Sequence, residues 1–216
     1  MDALIRELEE AGFAVYSFEP SNSNTTRWIE DGFVRLAGVR VATFCRTYPG
    51  VGTPIEKSIK LLVLLTRPSR WNYFRRSVRR PDLDSVVAEL RQLIRGLVSE
   101  RVFLLSHSVG AIVASMVDTE DAVAGLICFG YPFKHPERAD ESYRTAYLPL
   151  VTKPFLIIQG DRDDYGTAEA SRSYRLSPST VVVGVHASHG YDVLGSPEYD
   201  TCRELVFNFL KTTPLQ

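Results

Sequence analysis

The sequence predicts an α/β fold: a mostly parallel central sheet with helices on both faces. Two observations carry that expectation. From residue 82 onward, short continuous apolar runs alternate with stretches whose apolar residues recur every three or four positions. Several of these runs end in a Gly or a polar loop, as strands buried on both faces of a parallel sheet do when each feeds a helix. The 216 residues, 44% of them hydrophobic, suit one ordinary globular domain over 1–216, and no stretch reads as a linker to a second one. The N-terminal third fits the alternation poorly and is expected to be irregular or abbreviated.

Taken in order, Leu4, Ile5 and Leu8 ahead of Gly12 predict a short first helix leading into residues 13–18. Residues 22–26 read as a polar loop. Residues 32–46 read as a hairpin turning at Ala37-Gly38, with a strand over 39–45, and residues 61–65 as another buried strand. Asp82 can cap a helix whose stripe is Leu83, Val86, Val87, Leu90, Leu93, Ile94 and Leu97. A strand over 102–105 runs into Ser106-His107-Ser108-Val109-Gly110 and a small-residue helix to about Val117. Further strands are expected at 123–129, 155–159 and 181–185. The last helix shows Cys202, Leu205, Val206, Phe209 and Leu210 on one face.

Charge and cysteine content narrow the function. Lys and Arg number 25 and Asp and Glu 26, a net charge of −1, which removes the general attraction to phosphate backbones and argues against a nucleic-acid partner. The longest aliphatic run, Leu61 to Leu65, is far short of the roughly 20 residues that span a bilayer. The charged start Met1-Asp2-Ala3-Leu4-Ile5-Arg6-Glu7 lacks a signal-peptide core. The chain therefore reads as soluble and cytoplasmic, with no membrane partner. Cys45, Cys128 and Cys202 are too far apart for a disulfide framework or a zinc site, which suits reduced thiols and no metal.

The step that carries chemistry is Ser106-His107-Ser108-Val109-Gly110. Small residues two before and two after a Ser, between a buried strand and a helix, permit a tight turn that lifts the Ser above the sheet. That nominates Ser108 as a nucleophile. The helix N-terminus then lies under it, with the Val109 N–H facing the oxyanion that would develop on a substrate carbonyl.

This step resembles the nucleophile elbow of the α/β-hydrolase superfamily, Gly-x-Ser-x-Gly, with Ser106 where the first Gly usually stands. The superfamily's acid follows a later strand, commonly as Gly-x-x-Asp; Gly160-Asp161-Arg162-Asp163 fits and nominates Asp163, with Asp161 and Asp164 as rivals. A calcium loop counted from Asp161 fits worse, because Tyr165 and Arg172 stand where oxygen ligands are needed. The base is expected after the final strand, where His189-Gly190-Tyr191 resembles the superfamily's terminal loop. His186 belongs to the strand end, and no third ligand lies nearby in sequence to make the two histidines a metal site. The order Ser108, Asp163, His189 is the one the resemblance requires. It implies that Ser108 attacks, His189 takes and returns the proton, and Asp163 holds the imidazole.

Residues 123–136, with the Gly160 and His189 segments, resemble a branch of small dienelactone-hydrolase-like proteins. In that branch a Tyr-Pro pair leaves the strand next after the nucleophile, so Tyr131 either lines the site or packs as a turn. The match weakens earlier in the chain. Where the superfamily carries a Gly-rich oxyanion segment, this sequence has Thr66-Arg67-Pro68-Ser69-Arg70-Trp71. Either the usual extra helix and strand are abbreviated within 66–81, or the oxyanion loop is Tyr48-Pro49-Gly50-Val51-Gly52. Arg67, Arg70, Arg75, Arg76, Arg79 and Arg80, interleaved with Trp71, Tyr73 and Phe74, form either a solvated surface or an anion site in which Arg67 and Arg70 contact substrate. The expected function is cleavage of a small-molecule ester or thioester through an acyl-enzyme, without cofactor. The alternative is a weak or inactive hydrolase-like protein that binds an anionic ligand or a protein partner. The sequence leaves oligomeric state open.

Overall fold

The structure, a computed structural model, describes residues 2–66, 83–98, 101–137, 141–191 and 194–214. The chain divides into two compact units, one made of Met1–Tyr16 and Val87–Gln216, the other of Ser17–Val86.

The first unit is built on a four-stranded parallel sheet in the order β1 (Val102–His107), β2 (Val123–Phe129), β3 (Phe155–Arg162), β4 (Thr180–Ser188). Because every strand runs the same way, all four C-terminal ends lie along one edge. Ser106 pairs with Cys128, Cys128 with Ile157, and Gly160 with Val185, after which the β3–β4 register becomes irregular. Ser108, Gly130, Asp163 and His189 each follow, or lie just beyond, one of those ends.

Period-2 alternation divides the sheet into two apolar faces. Ile127, Phe129, Leu156, Ile158, Val185 and Ala187 meet Leu4 and Leu8 of α1 (Asp2–Glu10) and Cys202, Val206 and Leu210 of the C-terminal helix, Ser196–Thr212. Gly125 leaves room for that helix, since a Cβ there would stand 3.0 Å from the Phe209 ring. On the other face the helix Val109–Ser115 lies against β1 and β2, its Gly110 over Ser106. Each of these fully buried aliphatic side chains contributes about 1.5–3 kcal/mol relative to exposure. The helix Leu83–Gly96 buries Val87, Leu90 and Ile94, and its Arg91 and Arg95 grip Glu120 at 2.6 and 2.7 Å. The hydrogen bond from Arg95 holds the Glu120 carboxyl below its usual range. Among the described residues, no helix is long and apolar enough to cross a membrane.

The second unit corrects the expectation for the N-terminal third. Residues 22–26, read as a polar loop, 32–46, read as a hairpin, and 61–65, read as a strand, are helical: α2 (Ser21–Thr47) and α3 (Pro49–Leu65) pack as an antiparallel pair joined at Tyr48. The turn signal at Ala37-Gly38 is a helix break, since Gly38 adopts φ 76° and ψ 156° inside α2. Ile29 and Phe33, then Ala42 and Cys45, are spaced for one helix face and are buried. The run Leu61 to Leu65 buries only Val63 and Leu64, the partial burial of a helix rather than of a two-sided strand. Tyr48 to Gly52 opens α3 instead of following a strand. A Cβ on Gly52 would collide with the Cys45 backbone, whereas one on Gly50 would meet open space. Gly52→Ala should therefore lower the stability of the helix pair by about 1–3 kcal/mol, the cost of overpacking. Gly50→Ala should leave it unchanged or higher, both read from urea titrations followed by helical circular dichroism.

Candidate active site

Ser108 holds its shape against backbone preference. It lies at φ 53° and ψ −127°, one of two non-glycine residues with positive φ among those described, the other being Tyr191. Such a conformation costs of order 1–3 kcal/mol and persists only where the surroundings over-determine it. Here the Ser108 N–H donates to the Phe129 carbonyl at 3.1 Å, and its own carbonyl accepts from the Ala111 N–H at 2.9 Å. Just upstream the Ser106 hydroxyl donates to the Ile127 carbonyl at 2.9 Å. Ser106 fits beneath the helix with room to spare, since even a Cβ on Gly110 would reach only ordinary contact, 3.6 Å, with the Ser106 Cβ. Val109 begins the helix, so its N–H has no acceptor within that helix.

The turn brings Ser108 to the two residues nominated with it. The Ser108 hydroxyl donates to His189 Nε2 at 2.8 Å, and His189 Nδ1–H donates to Asp163 at 2.9 and 3.0 Å. The Asp163 carboxylate is shut off from solvent, while the imidazole keeps a partly exposed edge. The rival assignments separate by geometry. Asp161 is exposed and accepts from His186 at 2.7 Å, a contact that holds its carboxyl below the usual range, and Asp164 is exposed. His186 and His189 thus point to different carboxylates. Cys128 lies beside the elbow, where burial pushes its thiol well above the usual range.

A buried amide holds the acid. Gln159, fully buried, donates to Asp163 Oδ2 at 2.9 Å and to the carbonyls of Gly166 at 2.5 Å and Tyr131 at 3.3 Å, and accepts from the Tyr131 N–H at 2.8 Å. The Tyr165 N–H donates to Asp163 Oδ1 at 2.8 Å, and its ring stacks on the His189 imidazole with centroids 4.2 Å apart. Gly130, at φ 62°, sits so close that a Cβ would come within 3.2 Å of Asp163 Oδ2, His189 Nδ1 and the Tyr191 ring. Sequence reasoning nominated none of Gln159, Tyr165 and Gly130 for the site. The readable signal was Gln159 itself, a polar residue closing the otherwise apolar run Phe155-Leu156-Ile157-Ile158, since an amide inside a buried strand needs partners.

Tyr131 packs rather than lines a cleft. It has no exposed surface, its ring lies against Phe133 and Phe155, and its hydroxyl donates to the Arg144 carbonyl at 2.5 Å. Arg67 and Arg70, with the rest of the basic stretch, lie outside the described residues.

A family model described as an alpha/beta hydrolase domain matches residues 71–206. The chain belongs to the alpha/beta hydrolase family. The match is at the level of that domain rather than of the dienelactone-hydrolase-like branch. Among solved structures, the Pyrococcus furiosus esterase Pf2001 is similar at 18% identity with a TM-score of 0.50, over 62% of this chain and 64% of that one. A second crystal form of it gives 0.47 at 18% identity, over 59% and 62%. A structure named AbyA5 is similar at 13% identity and 0.45, over 60% and 50%. This chain thus spans less than two thirds of the length of the esterase it matches, and the likeness is one of fold.

Replacing Gln159 by Leu should strand the Tyr131 N–H and the Gly166 carbonyl and remove a donor from Asp163. A buried group left unsatisfied costs about 1–3 kcal/mol. Chemical denaturation of Gln159→Leu should show a loss of at least that size.

Proposed function

We propose that this chain is a serine hydrolase that cleaves a small ester or thioester through an acyl-enzyme on Ser108. The observation that carries the reading is the unbroken hydrogen-bond line from Ser108 through His189 to buried Asp163, at the C-terminal edge of a sheet belonging to the alpha/beta hydrolase family. Three unpaired, buried cysteines suit a reducing, cytoplasmic setting.

In this mechanism His189 Nε2 takes the Ser108 proton as the oxygen attacks the acyl carbon. The Asp163 carboxylate keeps the Nδ1–H in place and stabilises the imidazolium that forms. Negative charge on the former carbonyl oxygen is met by the Val109 N–H at the helix start. His189 then protonates the departing alkoxide or thiolate. Water, deprotonated by the same imidazole, attacks the acyl-serine, and collapse of the second tetrahedral intermediate releases the carboxylic acid and restores the Ser108 hydroxyl.

Hydrolysis of short-chain esters and thioesters by four variants tests the assignment. Ser108→Ala and His189→Ala should each lower kcat/KM by about a thousand-fold or more. Ser106→Ala and His186→Ala should do far less. In the wild type, kcat/KM should fall in acid, because a protonated imidazole cannot take the Ser108 proton. Equal losses at Ser106 and Ser108, or retained activity in His189→Ala, would move the chemistry elsewhere.

A further inference from the structure

The elbow contains a second imidazole that the mechanism leaves unused. His107 immediately precedes Ser108 and ends β1, and its Nε2 lies 2.7 Å from the backbone carbonyl oxygen of His189. A carbonyl only accepts, so His107 Nε2 carries the hydrogen and donates it. Its ring also lies near the His189 imidazole, with centroids 5.2 Å apart, and edge-on to Tyr191 at 6.3 Å. Two neighbouring residues of the elbow therefore grip one residue of the terminal loop. Ser108 bonds the His189 side chain, and His107 bonds the His189 backbone.

That second grip matters because the terminal loop is strained. Two residues after His189, Tyr191 adopts φ 52°, a conformation that L side chains rarely take. It is pinned on its far side by its hydroxyl, which donates to the Ile158 carbonyl at 2.7 Å. The side-chain bonds of His189 fix its ring, but they do not fix the backbone from which the ring projects. His107 supplies a link from the nucleophile's own strand to that backbone, across a sheet in which β1 and β4 are separated by β2 and β3.

We propose that His107 is a positioning residue, a strap that sets the distance between the nucleophile and its base by holding the His189 carbonyl. The proposal rests on the serine-hydrolase reading for its catalytic consequence, though not for the strap itself. His107 is solvent-exposed, so water can replace its bond and the fold depends little on it. Placement is more sensitive, since a shift of about 1 Å in a reacting group can cost about a hundred-fold in rate.

The test compares His107→Leu, His107→Asn and His107→Gln. Gln reaches as far as the imidazole and restores an N–H donor; Asn is polar but too short. Leu and Asn should lower kcat by about ten- to a hundred-fold with KM and the thermal midpoint little changed, and Gln should recover most of that loss. A readout independent of turnover is the downfield proton resonance of the His189 Nδ1–H bonded to Asp163. It should be sharp in wild type and His107→Gln and broadened or absent in the other two. Full activity and an unchanged resonance in Leu and Asn, or a Gln variant as impaired as Leu, would overturn the strap. A wild type without esterase activity would count against the serine-hydrolase reading alone, and the resonance would still decide the strap.

Discussion

The backbone of Ser108 is bent into a conformation that a serine does not choose, and the arrangement of the first unit turns on holding it there. A parallel sheet makes this possible, because β1 delivers the chain to the same edge at which β2 offers the Phe129 carbonyl to the Ser108 N–H. The helix Val109–Ser115 then starts at once and folds back over β1 and β2, with glycine at the point of closest approach to Ser106. Strain at the turn is thus offset by hydrogen bonds to the neighbouring strand and by burial of the helix residues Ala111, Ile112, Val113 and Ala114.

A second constraint is the burial of a carboxylate. Asp163 is removed from water, and an uncompensated charge there would cost far more than one bond recovers. Its two oxygens receive the Tyr165 N–H, the Gln159 amide and His189 Nδ1–H, so the charge is spread over donors already fixed in place. Gln159 is shared with the chain leaving β2, so it ties the exit of one strand to the loop beyond the next. Gly130 keeps that exit clear of the imidazole.

Much of this was legible in the chain from residue 82 onward, and for a physical reason. Strands buried on both faces must be apolar throughout, turns between them need small or polar residues, and a tight strand-to-helix turn needs small neighbours, so Ser108 stood out by its setting, and the resemblance to the hydrolase superfamily then pointed to Asp163 and His189 by their order. The N-terminal third carried weaker signals. Five consecutive apolar residues at Leu61 to Leu65 have no period to distinguish strand from helix, and Gly38 breaks a helix with the same residue type that would turn a hairpin. Tyr131 was read both ways because a Tyr-Pro step leaves a strand end equally well toward a cleft or into the core. Gly130 and His107 make their contacts with residues far apart in sequence, which no local pattern announces, whereas Gln159 was marked only as an amide closing an apolar strand.

The central claim is that Ser108 is an activated nucleophile and not merely a strained turn. Incubating the native protein with a fluorophosphonate, then locating the adduct by intact and peptide mass, tests it most directly. One phosphonyl group on Ser108, absent from Ser108→Ala, is the predicted result; no adduct, or an adduct on Ser106 or any other residue, would contradict it.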